Sequence, residues 1–111
     1  MVERWQLPNE TAIKKSILAY LGKIPAGFVW KIHGGRYGKS GMPDIAFILG
    51  GRIFFFEVKV PGETASDLQK EMMHRLTAAG AACYVVTSRK ETQNIIEKQE
   101  RHSKYNRGEG K

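Results

Sequence analysis

Two apolar runs, Ile45 to Leu49 and Ile53 to Val60, stand on either side of Gly50-Gly51-Arg52. A glycine pair there is a hairpin signal, because tight turns between antiparallel strands use backbone angles that glycine adopts without steric cost. The two runs are therefore expected to pair as neighbouring antiparallel strands. Along the second, Ile53, Phe55, Glu57 and Lys59 share one face, and Phe54, Phe56, Val58 and Val60 fill the other. Apolar residues on both faces predict a central strand.

The remaining pattern supplies the layers around that hairpin. Asn9 is a candidate N-cap for a helix with the apolar stripe Ile13, Ile17, Tyr20 and Leu21, stopping near Gly22. Phe28 to His33 alternates as a half-buried strand, with Phe28, Trp30 and Ile32 on one side. Ser66-Asp67-Leu68-Gln69 has the form of a capping box, opening a helix with the stripe Leu68, Met72, Leu76 and Ala79. Ala82 to Thr87 reads as a buried strand. Ser88 to Glu91 is a second capping-box pattern before a helix with Ile95 and Ile96 inward. From Gln99 onward only Tyr105 is apolar, which predicts a basic, flexible tail over 99–111 after one domain over 1–98. The order α-β-β-β-α-β-α predicts an α/β fold, a central mixed sheet flanked by helices. Trp5 and Trp30 are expected in the core.

Asp44 and Glu57 are the only acidic residues between Thr11 and Gly62, a stretch that carries eight Lys or Arg residues. The hairpin brings both acids near its open end, on adjacent strands. Mg²⁺ takes one or two carboxylates together with waters and substrate phosphate. Asp44 and Glu57 can supply that pair, and the Val58 carbonyl is a further candidate ligand. Lys59, on the face of Glu57, would approach the attacking water and the phosphate, where an ammonium offsets developing charge. Glu10 falls on the inward stripe at a helix start, so it either favours the helix dipole or joins the site. The plain alternative is an Asp at a turn and a Glu–Lys surface pair. It fits poorly, since Glu57 and Lys59 interrupt an apolar strand and an unpartnered buried charge is costly.

Composition narrows the partners. A net charge of +7 over 111 residues favours a polyanion, usually nucleic acid. The single cysteine, Cys83, excludes an internal disulfide and reads as a small core residue. No Cys/His spacing suits zinc. The apolar runs are too short for a membrane span, and the N-terminus lacks the form of a signal peptide. An intracellular, cytoplasmic protein is expected, with no membrane partner. Of the scattered histidines His33, His74 and His102, only His33 lies near the proposed site, as a possible substrate contact.

Gly41-Met42-Pro43-Asp44, followed in the next strand by Glu57-Val58-Lys59, resembles the PD-(D/E)XK nuclease superfamily, and its VRR-NUC branch in particular. That branch has a Gly-x-Pro-Asp motif, a Glu-x-Lys motif, a helical glutamine after a Ser-containing turn, and a glutamate in the first helix. Those positions match Asp44, Glu57 with Lys59, Gln69 and Glu10. The resemblance spans about residues 9 to 97. It implies that the acids bind Mg²⁺ or Mn²⁺ and that Lys59 assists the attacking water. It also implies a DNA substrate, branched or Holliday-junction DNA in particular, and a homodimer of the stand-alone phage or bacterial type. A bacterial cell or phage-infected host would be the setting. For Gln69 the helix cap is an equally good explanation.

Gly38-Lys39-Ser40 looks like the end of a phosphate-binding P-loop. The required first glycine would fall on His33, and the segment runs into a strand instead of opening a helix, so a nucleotide triphosphatase is excluded. The loop amides with Arg36, Tyr37 and Lys39, and nearby Lys31 and His33, suit a DNA backbone instead. The expected function is a metal-dependent endodeoxyribonuclease. The alternative is a DNA-binding module that keeps the fold without catalysis.

Overall fold

The computed structural model describes residues 9–32 and 41–106, with side chains described as far as Arg101. Seven elements follow in chain order: α1 (Glu10–Gly22), β1 (Phe28–Lys31), β2 (Ile45–Leu49), β3 (Arg52–Val58), α2 (Asp67–Ala78), β4 (Ala82–Val86) and α3 (Arg89–Asn106). They form one four-stranded sheet in the order β1-β2-β3-β4. The first two pairings are antiparallel, and β3 pairs with β4 in parallel, so the sheet is mixed.

The hairpin forms as its turn residues require. Gly50 and Gly51 both take positive φ, 59° and 79°. Leu49 pairs with Arg52 and Ile45 with Phe56. Continuing that register places Asp44 beside Glu57 at the open end. β3 is central, with β2 on one side and β4 on the other. Its Phe54, Phe56 and Val58 join Ile45 and Phe47 from β2 in the main core. Ile13, Ile17 and Leu21 of α1 and Ile96 of α3 cover that core. The ring pairs Phe54–Phe56 and Phe56–Tyr84 stack across it.

The opposite face is covered less completely. α2 flanks it, and Leu76 lines a groove with Ile53 and Phe55. The β1 side of this face is open. Phe28 is 66% exposed and Trp30 39%, so Trp30 is a surface residue, not a core one. The alternation along β1 sorts the side chains correctly, but among the described residues no helix covers the face holding Phe28 and Trp30 at the sheet edge. Leu68, expected on the buried stripe of α2, is 52% exposed in the first turn of that helix, and Met72 is the buried residue of the stripe. Val85 of β4 is also exposed.

Helix boundaries follow their caps. Asn9 Oδ1 accepts from Ala12 N at 2.7 Å. Ser66 and Gln69 form the complete reciprocal box at the start of α2. Ser88 Oγ accepts from Glu91 N, while the Glu91 carboxylate reaches back to Thr87. α3 continues to Asn106, past the point where a tail was expected. No glycine or proline interrupts 99–106, and charged residues propagate a helix well even where nothing apolar recurs.

Gly41 is the glycine whose freedom the site needs. Its φ is +81°, and a Cβ there would stand 2.8 Å from the Leu68 carbonyl oxygen. Gly41→Ala should lower stability by about 1–3 kcal/mol in urea titration. It should also displace the first turn of α2. An unchanged unfolding midpoint would show that the loop relaxes freely.

Candidate active site

Asp44 is held from two sides. Its backbone carbonyl accepts from Ile32 N at 2.8 Å, tying it to the end of β1. Its carboxylate Oδ2 accepts from Val58 N, also at 2.8 Å. The second bond crosses from the residue before β2 to the end of β3. It exists because Asp44 and Glu57 stand side by side where the hairpin opens. Pro43, buried behind Asp44, has no N–H to leave unsatisfied. Asp44 Oδ1 faces Lys14 Nζ at 3.2 Å.

Glu57 is 2% exposed. Its Oε2 accepts from Gln69 Nε2 at 3.0 Å and lies 3.6 Å from Lys59 Nζ. The Gln69 amide therefore does two jobs. Its Oε1 caps α2 by accepting from Ser66 N at 2.8 Å, and its Nε2 reaches across to Glu57. The helix cap and the contact to Glu57 use different atoms of the same amide.

Glu10, in the exposed first turn of α1, completes the group. One carboxylate oxygen from each of Glu10, Asp44 and Glu57 lies within 4.8 Å of the others. Three ionised acids at that spacing repel one another, and burial separately removes Glu57 from water. Burial, then the Asp44 carboxylate, raises the Glu57 pKa to about 7, with Glu10 adding to the rise and Lys59 opposing it. Such a group attracts cations, and Lys14 and Lys59 already stand beside it. All donors are hard oxygens, the set that a divalent ion of the Mg²⁺ or Mn²⁺ kind prefers. The cluster fits a divalent metal.

The raised pKa has a consequence for stability. Folded Glu57 holds its proton more tightly than the unfolded chain does. Its contribution is complete below the unfolded value, near 4.5, and is lost as pH rises through about 7. In chelator, the stability of the wild type relative to Glu57→Gln should therefore fall across that window. A flat difference between the two urea midpoints would contradict the assignment.

The remaining candidates are distributed unevenly. Lys31 is exposed at the end of β1, opposite Ile45 and one residue before the Ile32 that bonds Asp44. His33, Arg36, Tyr37 and Lys39 lie outside the described residues, as does Trp5. The Val58 amide is committed to Asp44. Lys14 was not legible as a site residue. The available signal was its position four residues after Glu10, on the same helix face.

No family model matches the sequence, and no curated protein matches it. Solved structures do. One, described as a VRR_NUC domain, is 31% identical, with a TM-score of 0.68, and the match covers 79% of this chain and 94% of that one. Another, described as a VRR_NUC domain protein, is 16% identical, with a TM-score of 0.70 over 83% of this chain and 88% of that one, and shares the fold.

Proposed function

Since this chain belongs to the VRR-NUC family, we propose that it is a Mg²⁺- or Mn²⁺-dependent endodeoxyribonuclease. The observation that carries the reading is the convergence of Glu10, Asp44 and Glu57 beside Lys59. A binding module has no use for three carboxylates facing a phosphate.

Glu10, Asp44 and Glu57 would hold the ion, with the Val58 carbonyl as a further ligand. A divalent ion bound there lowers the pKa of water and offsets charge on the phosphate. Lys59 lies beside Glu57 with its side chain 17% exposed, so its ammonium is only partly hydrated and acts strongly on nearby charge. It orients the attacking water and neutralises charge that grows on the phosphate oxygens. Gln69 holds Glu57 in place through Oε2. Water would attack phosphorus directly and lose its proton to solvent as one P–O ester bond breaks; the leaving oxygen takes up a proton from solvent, and no covalent enzyme intermediate forms.

The net charge of +7 supports a DNA substrate. Arg36, Tyr37, Lys39, Lys31 and His33 are the proposed backbone contacts. Branched DNA, including four-way junctions, is the proposed preference. The proposed acting unit is a homodimer, because the described residues of one chain offer one acid cluster and a junction needs two cuts. Two-fold pairing supplies both. The proposed setting is the cytoplasm of a bacterial cell or phage-infected host. Among the described residues, no helix is long and apolar enough to cross a membrane.

The test is incubation with linear, flap, nicked and four-way DNA in Mg²⁺ or Mn²⁺. Cleavage that chelator suppresses is the expected result. Retention of DNA without cutting of any substrate would return the protein to a non-catalytic binder. Light scattering should give about twice the 12.5 kDa chain mass, and a strict monomer would overturn the paired-cut arrangement.

A further inference from the structure

We propose that Lys14 is a tethered competitor for the divalent cation: its ammonium occupies the open oxygen of Asp44 until the ion displaces it. This rests on the metal-site reading above and assigns a role to a residue outside both motifs.

The oxygens of the two strand acids are already divided. Asp44 gives Oδ2 to the Val58 amide. Glu57 gives Oε2 to Gln69 and Lys59. What remains toward a shared ion is Glu57 Oε1 and Asp44 Oδ1, and of these two Asp44 Oδ1 has Lys14 Nζ 3.2 Å away. Asn9 caps α1 and sets the helix start. Glu10 and Lys14 then follow one turn apart on one face, so the same helix delivers an acid to the cluster and a cation to its neighbour.

Charge explains why the lysine is there and why it would leave. Glu10, Asp44 and Glu57 carry three negative charges when ionised. Lys14 and Lys59 supply two positive charges. With both lysines in place the metal-free cluster is nearly balanced, which lets three acids sit together before any ion arrives. A divalent ion with Lys59 alone balances the three acids fully. Lys14 is then the surplus cation, and it repels the ion from a side chain that is 20% exposed and free to swing into water. Lys59 cannot swap roles as easily, because its partner Glu57 is buried and its own stem leaves a strand end.

The experiment is calorimetric titration of DNA-free protein with Mn²⁺, using wild type, Lys14→Met and Lys14→Arg, beside urea unfolding of each in chelator and in saturating Mn²⁺. Methionine keeps the length and apolar stem but removes the charge. Lys14→Met should bind Mn²⁺ roughly tenfold more tightly, the scale of a partly exposed ion pair together with the lost repulsion. It should also be less stable than wild type in chelator, and gain more stability from Mn²⁺. Lys14→Arg should keep wild-type affinity or fall below it. Equal or weaker Mn²⁺ binding by Lys14→Met, in a wild type that binds the ion, would overturn the competitor role. If wild type itself binds no Mn²⁺, the metal-site reading fails instead.

Discussion

Glu57→Gln is expected to reduce cleavage by about a thousandfold or more, since it removes an ionised ligand from a site that supplies several kcal/mol of charge stabilisation. The same change should make the metal-free protein more resistant to urea above about pH 7, where wild-type Glu57 is ionised against its burial and the Asp44 charge. Glutamine has the same shape, so it can still accept from Gln69. The loss of activity is therefore not a loss of fold. DNA binding should survive or strengthen, because a charge that repels phosphate is gone. The two readouts move in opposite directions, which is the signature of a carboxylate held for function at a cost in stability. Near-wild-type turnover at saturating metal would remove Glu57 from the site. Asp44→Asn should also lose cleavage, but with less gain in stability, because Asp44 is one-fifth exposed and Glu57 is buried.

Lys59→Ala should lose about 100-fold or more in cleavage rate, the scale of removing one positioned charge stabiliser. Metal affinity should be retained, since Lys59 is not among the proposed ligands. The ion pair to Glu57 is long, 3.6 Å, and Gln69 Nε2 holds the same oxygen at 3.0 Å. Glu57 therefore keeps its orientation without the lysine. Single-turnover cleavage and Mn²⁺ calorimetry separate the outcomes. If Mn²⁺ affinity collapses together with activity, Lys59 positions Glu57 and does not act on the substrate.

Much of this architecture was legible before folding because it is written in local chemistry. The Gly50-Gly51 turn demands positive φ, and it takes it. Period-two alternation divided β3 into a core face and a Glu57 face. The Ser66–Gln69 box is a relation across three residues, closed within one helical turn. Even the nearness of Asp44 and Glu57 follows from one hairpin register. These relations span few residues and leave the chain little choice.

What local chemistry left open was decided by packing between distant segments. Alternation sorted Phe28 and Trp30 from their neighbours, yet could not say that their face would stay bare, because that depends on where α2 lies across the sheet. The reach of Gln69 Nε2 to Glu57 needs the crossover from β3 through α2. Lys14 is the sharpest case: in sequence it is one lysine of an exposed helix face, and only the docking of α1 at the open end of the hairpin brings its ammonium to Asp44. The sequence by itself determined which carboxylates stand on neighbouring strands, since a two-strand turn sets their register. The tertiary structure alone decided that Lys14 stands against Asp44, since that pairing depends on distance in space and not along the chain.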